Sequence, residues 1–87
     1  MSLTRCLARA LADKGILSYC IAPGWVETAM ARESMATDLP EILSQIPLGR
    51  VASVEDIAGV AVFLASHAAN YLTGVTIPVS GGSWMWT

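Results

Sequence analysis

The sequence predicts an α/β fold in which two parallel strands, joined by helices, form part of a larger doubly wound sheet. Three observations predict it. A helical segment leads through Gly15 into a short apolar stretch. A second apolar helix and a second β-branched stretch follow in the same order. A variable insert at residues 25–46 separates the two halves. Strands that alternate with helices pair in parallel through right-handed crossovers, and two strands make only part of such a sheet.

The composition is apolar for so short a chain. Of 87 residues, 54% are hydrophobic and 14% are charged, whereas typical domains carry about 25% charged residues. A chain of this size buries only about 60–65% of its extended surface on folding. We therefore expect apolar side chains to stay uncovered unless something else packs on them, as in a fragment of a larger fold or an obligate oligomer. A compact, apolar small domain is the alternative.

Charge and cysteine usage exclude several classes of function. The net charge is -2 and the five basic residues are scattered, so we expect no nucleic-acid partner. No apolar run approaches the roughly 18 residues of a membrane span. A signal peptide is not evident, so we expect no membrane partner and a cytoplasmic location. Cys6 and Cys20 lie in apolar surroundings without metal-ligand spacing, which predicts buried, reduced thiols and no metal site.

The first helix is predicted over Leu3–Lys14. Ser2 is a suitable N-cap, and Gly15 can take the positive φ of a residue just beyond a helix end. A short strand follows at Ile16–Ile21, mostly apolar as expected for a strand covered on both faces. Five residues fall on one face of the helix, namely Leu3, Leu7, Ala10, Leu11 and Lys14.

The middle of the chain is predicted to be loose over residues 31–38, before a short helical piece that Pro40 opens and that runs to Ile46. Ser53 then caps a helix whose first turn carries two carboxylates, where negative charge suits the helix dipole. The body of this helix is apolar nearly all round, so it needs cover on more than one side.

The second strand is predicted at Val75–Val79, and Pro78 within it marks a sheet edge. The tail contains a pair of glycines, expected to be flexible, followed by Trp84 and Trp86. Tryptophan is enriched among interface hot spots, so both are predicted to anchor an interface. A frayed terminus is the alternative.

A Pro-Gly loop follows the first predicted strand, in the run Ile21-Ala22-Pro23-Gly24-Trp25-Val26-Glu27-Thr28-Ala29-Met30. A strand that ends in Pro-Gly and opens into a small-residue loop is how many parallel sheets present a ligand loop at their carboxyl edge. This run is therefore the predicted ligand-binding segment.

Eight short motifs occur in the order and approximate spacing of one protein family, and together they cover essentially the whole chain. They are Leu3-Thr4-Arg5 with Leu7-Ala8-Arg9-Ala10-Leu11, Gly15-Ile16, Ile21-Ala22-Pro23-Gly24, Pro47-Leu48-Gly49-Arg50, Glu55-Asp56-Ile57-Ala58, Phe63-Leu64-Ala65-Ser66, Tyr71-Leu72-Thr73-Gly74, and Val79 with Gly81-Gly82. No single motif is specific, but the set resembles the short-chain dehydrogenase/reductase family. The resemblance implies that residues 1–87 are a C-terminal fragment of a Rossmann-like domain, with residues 25–46 as its substrate-lid region.

The resemblance also implies an NAD or NADP site in the parent enzyme. Pro23 and Gly24 would shape the turn under the nicotinamide. The backbone of Val26 would hydrogen-bond the carboxamide, and Thr28 would offer its hydroxyl to the carboxamide or the pyrophosphate. An N-cap role for Thr28 is the alternative, and it is favoured here because the rest of the cofactor site does not occur in these residues.

The family's glycine-rich phosphate loop, its catalytic serine and asparagine, and its Tyr-x-x-x-Lys pair do not occur in these 87 residues. The resemblance therefore implies no catalytic residue here, no cofactor bound by this fragment, and no activity of the chain alone. Two hypotheses stay open. The chain is part of an NAD(P)-dependent oxidoreductase that acts on a small-molecule alcohol or carbonyl, or it is a non-catalytic, self-associating module. In both cases we expect a homo-oligomer, a dimer or higher.

Overall fold

A computed structural model describes residues 2–28 and 32–85. Within these two ranges the chain forms three helices, two strands and two short 3-10 turns. In chain order they are α1 (Ser2–Leu11), a 3-10 turn (Ala12–Lys14), β1 (Tyr19–Pro23), α2 (Arg32–Ser44), α3 (Val54–Leu64), a 3-10 turn (His67–Ala69) and β2 (Val75–Val79).

The two strands form a parallel pair, as predicted. Tyr19 lies opposite Val75, and the register continues to Pro23 opposite Val79. The N–H of Gly24 donates to the Val79 carbonyl at 3.1 Å, so Val79 directs its polar groups toward β1. Because polar groups alternate in direction along a strand, the nitrogen of Pro78 faces the outer edge, where no ladder bond is lost.

The predicted bounds of the first strand, Ile16–Ile21, are wrong at both ends. The N–H of Ile16 donates to the Leu11 carbonyl at 3.2 Å and so closes the end of α1. The N–H of Ser18 donates to Thr73 Oγ1 at 3.0 Å, before the ladder starts. Pairing begins only at Tyr19, where β2 offers a partner, and it includes Pro23. Apolar character marks the covered stretch but not the point at which hydrogen bonding starts.

Helix α1 packs on a different face from the one indicated by its leucines. Thr4 and Ala8 are buried, whereas Leu3 is 68% exposed and Leu7 is 40% exposed. The side chain of Ala8 lies 3.2 Å from where a Cβ on Gly74 would sit, so small residues bring the helix close to the turn before β2. The predicted positive φ of Gly15 is confirmed at 72°, but α1 itself ends at Leu11 and the 3-10 turn continues to Lys14. Ser2, predicted as the N-cap, is instead the first helical residue.

The prediction that the middle of the chain is loose is wrong, because most of this segment belongs to helix α2. Of residues 31–38, expected to be loose, residues 32–37 are helical and Ala31 lies outside the described residues; the helix ends at Ser44. Asp38 departs from helical geometry, with φ -113° and ψ 16°. Pro40 removes a helical N–H and clashes with the preceding turn, which is the physical cause of a kink at this place. A buried cluster, Met35, Ile42 and Ile46 with Val51 packed against it, holds both halves of the helix.

The start of α3 is confirmed. The N–H of Asp56 donates to Ser53 Oγ at 3.2 Å, and the N–H of Ser53 donates to Asp56 Oδ2 at 2.8 Å. This reciprocal pair is a capping box, which satisfies two N–H groups at the helix end.

Much apolar surface stays uncovered, as the composition predicts. Among the described residues no large side chain is fully buried, and α3 exposes Val62 and Phe63. Cys6 is exposed and Cys20 is half-buried, so the prediction that both thiols are buried is wrong for Cys6. Cys6 lies on a face of α1 that is left exposed by the described residues. Within residues 2–28 and 32–85, no helix is long and apolar enough to cross a membrane.

Candidate functional site

The Pro-Gly loop leaves the carboxyl end of β1 and is fixed by backbone hydrogen bonds. Val26 forms an isolated parallel bridge with Ala52. The N–H of Ala52 donates to the Trp25 carbonyl at 2.9 Å, and the N–H of Glu27 donates to the Ala52 carbonyl at 2.8 Å. The loop therefore runs extended beside the residues that lead into α3.

These two bonds determine the direction of the Val26 backbone. A trans peptide unit holds its C=O and N–H on opposite sides. Because the Trp25 carbonyl and the Glu27 N–H both point toward Ala52, the N–H and C=O of Val26 point away from it. No described residue hydrogen-bonds to either group. Val26 thus presents a donor and an acceptor side by side, which is the pair that a primary amide requires.

Three of the four predicted cofactor-binding residues surround one pocket. It is an open, apolar pocket of about 420 Å³ between the loop and the first two turns of α3. The residues that line it are Pro23, Val26, Thr28, Val54, Ile57 and Ala58. The contribution of α3 to the pocket had no sequence signal, because the apolar residues of this helix are equally suited to packing.

Gly24, the fourth predicted residue, does not line this pocket. A Cβ added to Gly24 would lie 3.0 Å from both Cα and Cβ of Ser80 and 3.2 Å from Oγ of Ser83. Glycine is therefore required because the turn after β2 approaches the loop closely at this point. Its role is to let two backbone segments meet.

The turn after β2 is ordered by its own hydrogen bonds. The hydroxyl of Ser80 accepts from the Trp84 N–H at 3.2 Å and donates to the Trp84 carbonyl at 3.0 Å. The N–H of Leu48 donates to the Gly81 carbonyl at 3.0 Å. Gly81 and Gly82, expected to be flexible, take φ values of 62° and 94°. Sequence reasoning missed this contact between the turn and the Pro-Gly loop.

The structure describes one of the two tryptophans in the tail. Trp84 is 40% exposed. Trp86 lies outside the described residues, so its predicted role as an anchor has no structural counterpart here.

Thr28 is exposed at the rim of the pocket. Its carbonyl accepts from the N–H of Arg32 at 3.0 Å, one helical turn before α2. That bond is the one an N-cap carbonyl makes, so the backbone of Thr28 fits the N-cap alternative. Arg32 also pairs with Glu27, with Nε and Oε1 3.3 Å apart, and this exposed ion pair spans the same segment.

An ion pair lies at the start of α3. Arg50 Nη1 donates to Asp56 Oδ2 at 2.7 Å. The hydrogen bond from Arg50 and then that from the Ser53 N–H lower the pKa of Asp56 from 3.8 to about 2. Sequence reasoning related Asp56 only to the helix dipole and missed its ion pair with Arg50. Arg50 ends a motif that the sequence analysis did single out, six residues before Asp56.

The chain is similar to known proteins of one family. A family model described as enoyl-(acyl carrier protein) reductase matches residues 1–83. The chain is 46% identical over 82 residues to the 3-oxoacyl-(acyl-carrier-protein) reductase FabG of Pseudomonas aeruginosa, covering 94% of this chain and 33% of that protein. With the FabG of Escherichia coli strain K12 it shares 40% identity over 85 residues, covering 98% and 35%.

Two solved structures share the fold. A short-chain dehydrogenase/reductase from Brucella melitensis, described as a glucose/ribitol dehydrogenase, superposes with a TM-score of 0.91 at 42% identity, covering 98% of this chain and 34% of that one. A putative 2-deoxy-d-gluconate 3-dehydrogenase from Agrobacterium tumefaciens with bound NADP gives 0.87 at 45% identity, covering 94% and 34%. The chain thus spans about a third of the length of these proteins, and it belongs to the short-chain dehydrogenase/reductase family.

Proposed function

We propose that the chain is the carboxyl-terminal third of an NAD(P)-dependent oxidoreductase, in which residues 23–28 form the loop that faces the nicotinamide. The reaction is hydride transfer between the nicotinamide and a small alcohol or carbonyl compound. One observation carries this proposal. Pro23, Val26 and Thr28 surround a single apolar pocket at the carboxyl end of β1, and the peptide groups of Val26 point away from their strand partner.

The chemistry of the loop fits a nicotinamide. Its carboxamide needs a donor and an acceptor at fixed spacing, and the N–H and C=O of Val26 supply both. The apolar side chains of Pro23 and Val26 line the pocket and suit the face of the ring, and Thr28, which also lines it, carries the hydroxyl that we assign to the carboxamide or the pyrophosphate. The Agrobacterium relative in the same fold is described with bound NADP. When bound, the cofactor supplies the hydride.

The 87 residues alone are proposed to be inactive. The family's proton donor is a tyrosine with a lysine four residues on, but here Tyr19 is followed at that spacing by Pro23 and Tyr71 by Val75. Most of the affinity for a dinucleotide comes from its phosphates, bound at a glycine-rich helix start that these residues do not contain. Residues 25–46 are proposed to form the substrate lid over the loop.

A second candidate function is a non-catalytic, self-associating module. The observation that favours it is the uncovered apolar surface, which includes Leu3 and Leu7 on α1. The two candidates differ in one respect that can be measured. Only the oxidoreductase proposal requires the Pro-Gly loop to serve hydride transfer once the rest of the fold is present.

The test is a chimaera in which this chain replaces the matching 82 residues of the Pseudomonas relative. We expect the chimaera to oxidise NADH or NADPH with a carbonyl substrate. Thr28→Val, which keeps the shape but removes the hydroxyl, should lower kcat/KM about tenfold, as the loss of one good hydrogen bond does. Thr28→Ser, which restores the hydroxyl, is the matched control and should stay close to the parent.

Each part of the proposal has an outcome that overturns it. A folded chimaera without turnover overturns the oxidoreductase proposal and favours the module. Equal activity of Thr28→Val and Thr28→Ser overturns the role of the hydroxyl. For the 87-residue chain alone, turnover that follows the protein through gel filtration, or calorimetric binding of NAD or NADP at micromolar concentration, overturns the proposed dependence on the rest of the fold.

A further inference from the structure

The segment that carries Val26 is held by the two peptide units on either side of Ala52. The N–H of the unit that precedes Ala52 donates to the Trp25 carbonyl at 2.9 Å. The C=O of the unit that follows Ala52 accepts from the Glu27 N–H at 2.8 Å. Because Val26 lies between these two bonds, the direction of its own N–H and C=O depends on the orientation of both units.

The outer side of both peptide units is bonded to one ion pair. A trans peptide holds its N–H and C=O on opposite sides, so each unit has a second polar group that points away from the loop. In the unit after Ala52 this group is the Ser53 N–H, which donates to Asp56 Oδ2 at 2.8 Å. In the unit before Ala52 it is the Val51 carbonyl, which accepts from Arg50 Nη1 at 3.4 Å. Arg50 Nη1 also donates to Asp56 Oδ2 at 2.7 Å, and this ion pair is termed the brace.

The two members of the brace contribute unequally. The bond from Ser53 to the carboxylate of Asp56 is charge-assisted, and such bonds are about twice as strong as neutral ones. The carboxylate also polarises the peptide unit, which makes its C=O a better acceptor for the Glu27 N–H. The 3.4 Å bond from Arg50 is long, and its side chain is 62% exposed, so its direct effect is smaller. Asp56 is therefore the main member, and Arg50 holds its carboxylate in place.

Asp56 also connects the two walls of the apolar pocket. It lies in the first turn of α3, directly before Ile57 and Ala58, which line the pocket on the helix side. Val26 lines the same pocket on the loop side, but Asp56 itself does not line it. One carboxylate thus ties the helix wall to the donor and acceptor of the loop.

We propose that Asp56, held by Arg50, is a positioning residue for the nicotinamide site and fixes the peptide groups of Val26 through the backbone of Ala52. The inference rests on the proposed function and adds to it a residue outside the pocket. A misplacement of about 1 Å can lower a rate about hundredfold, so a small shift of the loop has a measurable effect. The alternative is a helix cap that stabilises α3 without acting on the loop.

The amide proton shifts of the 87-residue chain test the brace without any activity. Glu27 and Ala52 are the reporters, because their N–H groups form the two bonds to and from the loop. Asp56→Asn keeps the shape of the side chain but removes its charge. We expect both reporter protons to move upfield as their hydrogen bonds lengthen. The Gly74 amide, which donates to the Ser18 carbonyl at 2.8 Å before the other end of the strands, should stay in place.

Three further variants supply the controls. Glu55→Gln removes a neighbouring charge from the same turn of α3 and should leave both reporters in place. Arg50→Met removes the guanidinium and should move them in the same direction as Asp56→Asn but less, whereas Arg50→Lys keeps the positive charge and should recover part of that shift. Circular dichroism checks that each variant keeps its helices. If Asp56→Asn does not fold, the comparison of Arg50→Met with Glu55→Gln decides.

In the chimaera described above, the brace should act on the dinucleotide and not on the carbonyl substrate. Asp56→Asn should raise the KM for the dinucleotide about fivefold, because the donor and acceptor of Val26 no longer meet the carboxamide at fixed positions. The KM for the carbonyl substrate should stay within about twofold of the parent value, because Val26 contacts only the cofactor in the proposed site. Glu55→Gln should leave both values unchanged.

Reporter shifts in Asp56→Asn that are no larger than those in Glu55→Gln overturn the proposal, because Asp56 would then act only as a helix cap. In an active chimaera, a dinucleotide KM that does not rise, or that rises in step with the KM for the carbonyl substrate, overturns it as well. A folded chimaera without turnover overturns the proposed function instead, and the spectra of the chain still decide whether the brace fixes the loop.

Discussion

At the start of α3, Asp56 accepts hydrogen bonds from Arg50 and from the N–H of Ser53. The Arg50 hydrogen bond is the larger cause of the lowered pKa of Asp56, at about 2, and the Ser53 N–H is the next. A carboxylate whose pKa is lowered by folding stabilises the folded state at pH values above the pKa that it has in the unfolded chain. That contribution is lost as the pH falls through the folded pKa.

The expected consequence is an acid-sensitive component of stability between pH 4 and pH 2, since the pKa of Asp56 falls from 3.8 to about 2 on folding. Urea unfolding midpoints measured across this range should decline less steeply in Asp56→Asn than in the parent. Glu55→Gln, which changes the neighbouring carboxylate, is the control and should keep the parent slope. If the unfolding midpoints of Asp56→Asn and the parent declined in parallel, the acid sensitivity would not come from Asp56.

Gly24 and Gly59 form a matched pair for testing close approach of the backbone. A Cβ on Gly24 would lie 3.0 Å from the Cα of Ser80, whereas a Cβ on Gly59 meets nothing within 4 Å. Gly24→Ala should therefore destabilise the chain by about 1–3 kcal/mol through overpacking. Gly59→Ala, inside α3, should stabilise it by up to about 1 kcal/mol through helix propensity. Urea unfolding measures both, and a neutral Gly24→Ala would show that the turn at Ser80 shifts freely.

At the scale of the elements, the capping box decides where α3 begins. Ser53→Ala removes the acceptor for the Asp56 N–H and should cost about 1 kcal/mol of unfolding free energy. Ser53→Thr keeps a hydroxyl and should recover most of that loss. If both substitutions destabilise the chain equally, the packing of the serine and not its hydrogen bond sets the helix start.

How far each element could be predicted depends on whether its signal is local. Ser53 with the acidic first turn, and Gly15 after the first helix, are local signals, and both predictions are confirmed. The start of β1 at Tyr19 depends on where β2 begins to pair, which no local pattern contains. The helical state of residues 32–37 depends on Met35 reaching Ile42 and Ile46 across the kink.

For the candidate site, too, the residues with a local sequence signal could be predicted and the others could not. Pro23, Val26 and Thr28 could be named from the loop motif, because the motif lies on one continuous segment. The wall from α3 and the close approach of Ser80 to Gly24 join segments about 30 to 60 residues apart in the chain, so sequence reasoning had no signal for them.

At the scale of the whole molecule, the chain leaves two kinds of surface without cover. Leu3 and Leu7 form an exposed stripe on α1, and Val62 is 69% exposed on α3. The edge of β1 away from β2 has no strand partner among the described residues, and open edges pair readily with other chains. Burial of apolar surface contributes about 25 cal/mol per Å² removed from water, which favours association.

The 9.2 kDa chain is expected to associate with further copies of itself in solution. Sedimentation equilibrium at micromolar concentration should show a dimer or a larger assembly, and closed two-fold symmetry is the commonest arrangement. Replacing both leucines of the stripe, Leu3→Glu with Leu7→Glu, should shift the mass toward the monomer while circular dichroism still reports helix. Val62→Glu introduces one such charge on α3 and should leave the mass unchanged if α1 is the interface. A parent chain that sediments as a stable, folded monomer would contradict the prediction, because the exposed leucines would then need no partner.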